Sequence, residues 1–103
     1  MAAIKTNSSV FLLVKELMHE LDQITGAINR RSSEAGNGMG GALDALEMLP
    51  LATDEFGLLR NRLINAFSYL NSSEWGAARF EVTMVRGWLR TAQIRFAPVP
   101  ALD

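Results

Sequence analysis

The sequence contains no cysteine and a single histidine, His19. Without cysteine there is no disulfide framework and no thiolate metal site. With one histidine, no serine can be argued into a nucleophile–base pair, because nothing in the spacing brings a partner to it. Proline is also scarce: of three, Pro98 and Pro100 fall in the last six residues and only Pro50 interrupts the body. Long helices are therefore free to form over most of the chain. Long apolar runs are missing too. The longest early one is Val10 to Val14, five residues, against the roughly 7–15 of a signal peptide and about 20 of a membrane span. The expectation is a cytoplasmic protein that does not enter a membrane.

What is present is a globular composition, 49% apolar and 20% charged over 103 residues. That length makes one domain, and a chain of this size buries roughly 65% of its unfolded surface without covalent staples. The net charge of −1 hides a split. Residues 1–56 hold eight acids against four bases, whereas residues 57–103 hold six arginines against three acids. A near-neutral total argues against nucleic acid as the partner. The split implies that the halves attract each other, within one chain or between two.

Helical periodicity dominates. After Ser8 or Ser9 as a cap, Val10, Val14, Leu17, Leu21, Ile24 and Ile28 alternate spacings of four and three, predicting a helix over 8–31. Residues 32–41, SSEAGNGMGG, carry four glycines within six residues and read as a loop. A short helix over 42–49 follows, stopped by Pro50. Thr53 then caps a helix over 53–71 with Phe56, Leu59, Leu63, Ala66 and Leu70 on one side and Ile64 and Phe67 beside them. Asn71-Ser72-Ser73-Glu74 fits a capping box with Leu70 and Trp75 as its staple, opening a last helix over 72–96. Residues 97–103 read as an extended tail. The fold class expected is all-α: an antiparallel bundle of three long helices and one short one, forming a homodimer.

The dimer expectation comes from the last helix. Trp75, Ala78, Val82, Val85, Leu89, Ala92 and Phe96 make its main seam, yet Phe80, Met84 and Trp88 form a second apolar stripe. Either the helix touches two neighbours in its own bundle, or these three residues are an oligomer or partner surface, for which aromatic and methionine side chains are suited. Arg79, Arg86 and Arg90 form a third stripe, able to contact an acidic partner or to stay solvated.

Candidate chemistry is sparse. Gly36, Gly38 and Gly41 satisfy G-x-G-x-x-G but follow a helix rather than the strand that a dinucleotide site needs, so no cofactor is expected. Glu16 and His19 form one E-x-x-H pair. A di-metal bundle needs two such pairs and further glutamates, so this chain would have to pair with itself and add Glu81. Residues 60–69, RNRLINAFSY, resemble the R-N-x-x-x-H-x-[FY] segment of HEPN-type ribonucleases, which are dimerising helical bundles. The match covers ten residues, and Asn65 stands where the catalytic histidine belongs, so Arg60 and Asn61 remain without it. No catalytic residue is assigned. The functional expectation is a non-enzymatic helical interaction module: an adaptor, regulator or accessory subunit. The alternatives are a ligand-binding protein or enzyme with a site between helices, and a weak nucleic-acid binder using the arginine stripe.

Overall fold

The computed structural model describes residues 7–95, and all regular structure among them is helical. Four helices follow in order: α1 Asn7–Asn29, α2 Glu34–Glu47, α3 Thr53–Asn71 and α4 Trp75–Arg95. Helix α1 packs on α2 and α4, and α3 packs on the same two, so the four make a ring around one core. Short connections join successive packed helices, which must therefore reverse direction. Side-chain pairs agree. Arg79 meets Asn29 and Arg86 meets Asp22, so α4 runs opposite to α1. Gly38 lies against Ile24 and Gly41 against Glu20, so α2 does the same.

The core is the set of three-four seams. Val10, Val14, Leu17, Leu21, Ile24 and Ile28 of α1 are all buried, as are Leu59, Leu63 and Ala66 of α3 and Ala78, Val82, Val85, Leu89 and Ala92 of α4. Each fully buried large aliphatic side chain contributes roughly 1.5–3 kcal/mol. The expected boundaries of α3 agree with the structure; Phe96 and the extended tail lie outside the described residues.

The main correction concerns residues 32–41, expected as a glycine loop. Helix α2 begins at Glu34 and runs through all four of those glycines. A Cβ on Gly38 would sit 2.9 Å from Ile24 Cγ1, so the missing side chain is what lets α2 lie close on α1. That approach buries Ala35, Met39, Ala42 and Leu46. Four helical glycines cost roughly 4 kcal/mol relative to alanine; burial of Met39 and Leu46 alone offsets about that much. Packing overrides propensity here.

Two helix ends also differ from expectation, for one shared reason. Helix α1 stops at Asn29, not residue 31, because Arg31 takes φ 51° and the Ser32 and Arg31 amides donate to the Ala27 and Ile28 carbonyls at 2.8 and 2.9 Å. The same left-handed closure ends α3. Ser73 takes φ 57°, and the Glu74 and Ser73 amides donate to the Tyr69 and Leu70 carbonyls at 2.8 and 3.0 Å. Asn71 is thus the last residue of α3 rather than a cap for α4. Helix α4 starts three residues later than expected, its first bond running from the Ala78 amide to the Glu74 carbonyl at 3.0 Å. Thr53 likewise lies inside α3, whose cap residue is Ala52 with Glu55 Oε1 accepting its amide at 3.4 Å. Ser8 and Ser9 are already helical, in α1.

Candidate interaction surface

Helix α4 is wedged between two neighbours, and three kinds of residue line its circumference. Its seam is buried. Toward α1, Arg79 Nη1 donates to Asn29 Oδ1 at 3.1 Å and Arg86 is ion-paired with Asp22. Arg86 also holds a buried Nε without a hydrogen-bond partner, while Arg90 is exposed. The acid that Arg86 meets is therefore in its own chain, which places one link of the acidic-to-basic charge split inside the molecule.

Toward α3, Glu81 is the one buried charged residue among those described, 8% exposed. Its Oε1 accepts from Arg62 Nη1 at 3.2 Å, and its Oε2 is buried without a partner. A carboxylate this deep requires its cation. Removing one member of such a pair costs several times more than the pair is worth against an apolar replacement.

The outer side carries the second apolar stripe, and the structure divides it. Phe80 and Met84 are 58% and 43% exposed. Trp88 is half-buried and packs against the core. The two readings of the stripe therefore apply to different residues: Trp88 serves the chain's own bundle in part, whereas Phe80 and Met84 face solvent. Further apolar residues are exposed, Leu12 at 60% and Met48 at 53% among them. Leu58 on α3 is 52% exposed, and Ile64 and Phe67 on the same helix are 36% and 42% exposed. Each adjoins a buried seam residue, Leu59, Leu63 or Ala66. Neighbours in a helix lie 100° apart, so that adjacency was the available signal that they could not share the seam.

The candidate metal pair does not converge with other ligands. Glu16 and His19 are exposed on α1, Gln23 Nε2 donates to His19 Nε2 at 3.3 Å, and Glu81 is committed to Arg62. Among the described residues no three His, Cys, Asp or Glu side chains are grouped to hold an ion. Gly36, Gly38 and Gly41 lie within a helix packed on another, not at a phosphate-binding turn. Arg60, Asn61 and Asn65 are exposed along α3.

A groove between α1 and α2 has a volume of about 740 Å³. Gly26, Gly38 and Gly41 lie along it, with Glu20, Glu34, Asn37 and Arg30 as polar lining. Glu20 Oε2 is buried there without a hydrogen-bond partner. Among the described residues, no helix is long and apolar enough to cross a membrane. No protein-family model, curated protein or solved structure matches the chain.

Proposed function

We propose that the protein is a small, non-enzymatic helical interaction module that forms a homodimer in the cytoplasm through the outer side of α4. The observation that carries this is the exposure of Phe80 and Met84 on a helix whose opposite side is fully buried. Leaving two such side chains in water forgoes a few kcal/mol of burial that a partner surface recovers. Helical proteins commonly recognise partners by laying an apolar helix side against another surface.

The test is the solution mass of the wild type and of Phe80→Arg, by size-exclusion chromatography with light scattering. A wild-type dimer that becomes a folded monomer in the variant supports the reading; a wild-type monomer at every concentration sinks the homodimer. Phe80 is a better probe than Trp88, whose partial burial against the core would mix dissociation with unfolding.

A ligand-binding reading has one observation of its own, the unpartnered Glu20 oxygen beside the α1–α2 groove. A cationic amine is the chemistry that would satisfy it. Calorimetric titration with spermidine, against Glu20→Gln, tests that reading, and equal heats in both would remove it.

A further inference from the structure

We infer that α2 is a lid: it unwinds as a unit and leaves the core while α1, α3 and α4 stay packed. The opening leaves the α4 surface and its dimer reading untouched. Intrinsic helix strength separates α2 from the other three. Four glycines fall in its 14 residues, against Gly26 in the 23 of α1, Gly57 in the 19 of α3, and Gly76 and Gly87 in the 21 of α4. Relative to alanine, four glycines lower a helix's own stability about a thousandfold. Its cap residue Ser33 makes no side-chain bond to it; the Glu34 amide instead donates to Ser32 Oγ at 3.2 Å, in the open.

Packing returns less to α2 than to its neighbours. It buries two large side chains, Met39 and Leu46, with the small Ala35 and Ala42, whereas α1 buries Val10, Val14, Leu17, Leu21, Ile24 and Ile28. Helix α3 also buries few, Leu59 and Leu63, but it holds one glycine and is bonded to α4 through Arg62 and Glu81. Helix α4 is fastened to α1 in turn by Arg79–Asn29 and Arg86–Asp22. Gain and cost in α2 thus nearly cancel, the condition for opening locally below the free energy of global unfolding. The chain permits it. Opening turns residues 30–52 into one connection from the end of α1 to the start of α3. Because successive helices reverse, that connection must span the length of α2, roughly 21 Å, and a chain of this many residues reaches roughly 75 Å when extended. Helices α1 and α3 both stay packed on α4. Release of α2 uncovers Ile24, which lies against Gly38, and the core space that Met39 and Leu46 fill.

Hydrogen exchange of the full chain, read amide by amide by NMR in urea below the unfolding midpoint, tests this. Two groups are expected. The bonded amides of α2 exchange about a hundredfold or more faster than the slowest of α1 and α4, and share one weak urea dependence because their opening exposes little surface. Those of α1, α3 and α4 share a steeper one. Arg62→Ala, which weakens α3 on α4, speeds the second group and leaves α2 unchanged. Gly36→Ala with Gly40→Ala, where an added Cβ meets nothing within 4 Å, slows α2 about 20-fold. A single urea dependence for all four helices, or an α2 that Arg62→Ala speeds equally, means that α2 leaves only with the whole fold and overturns the lid. So does an α3 that exchanges with α2, or α2 amides that never reach a common urea dependence, which is fraying. Unchanged α2 exchange in the double glycine variant also overturns it, because the glycines are then not its cause.

Discussion

Ser73 and Arg31 occupy the left-handed position that closes a helix, where glycine is the favoured residue. An L-residue there is strained by roughly 1–2 kcal/mol, less the backbone freedom that glycine loses on folding. Ser73→Gly should therefore stabilise the protein by about 0.5–1 kcal/mol, raising Tm by a few degrees in thermal denaturation. Asn71→Ala, which would lose a cap if Asn71 opened α4, should leave Tm nearly unchanged. The Asn-Ser-Ser-Glu stretch misled the sequence reading because the same residue types that cap a following helix also close a preceding one. Only the positive φ at Ser73 separates the two, and serine does not announce it. At Glu81 the ion pair makes a sharper prediction. Arg62→Ala leaves a buried carboxylate without its cation and should cost about 2–4 kcal/mol in denaturant unfolding. Replacing both, as Arg62→Met with Glu81→Leu, should fall near the wild type. If the double variant is as unstable as the single one, the pair is needed for more than charge balance.

At the scale of elements, α3 and the seams of α1 and α4 were legible because three-four spacing and burial coincide there. Helix α2 was not, since its glycines argue for a loop on propensity, and the reason they are tolerated lies in α1. A Cβ at Gly38 would come within 2.9 Å of Ile24, closer than van der Waals contact, whereas Gly40 has nothing within 4 Å. These two positions in one helix should respond oppositely. Gly40→Ala gains helix propensity and should stabilise by roughly 0.5–1 kcal/mol. Gly38→Ala gains the same propensity but pushes Ile24 or the whole of α2 away, and should destabilise on balance. Urea midpoints of the two variants check this directly. Equal stabilisation of both would mean that α2 does not sit tightly on α1 and that its glycines have no packing role. The apolar residues of α3 show the other limit of pattern reading. Ile64 and Phe67 were read as lying beside the seam, and the core of a four-helix ring reaches only part of each helix's circumference.

For the whole molecule, the acidic first half and basic second half are joined where α1 meets α4, through Arg86 and Asp22. Asp22 is about half exposed, so this bond contributes at most about 1 kcal/mol and weakens with salt. It closes the ring without explaining why Phe80 and Met84 stay uncovered. The proposed dimer through α4 would cover Phe80 and Met84, and it carries a thermodynamic signature separate from any mass measurement. If the folded chain associates and the unfolded chain does not, association stabilises the native state by mass action, and Tm must rise with protein concentration. The wild type should show that rise in calorimetric scans across a wide concentration range. Met84→Arg should lose it and melt at one temperature throughout, near the dilute limit of the wild type, because Met84 already lies 43% exposed in the single chain. Salt divides the outcomes further. A contact built on the apolar side chains of α4 should hold or tighten as ionic strength rises, whereas one built on its arginines against acidic side chains of a second copy should loosen. A wild-type Tm that rises with concentration at low salt and no longer does so at high salt would therefore place the interface on the charged faces and clear the apolar patch of that role.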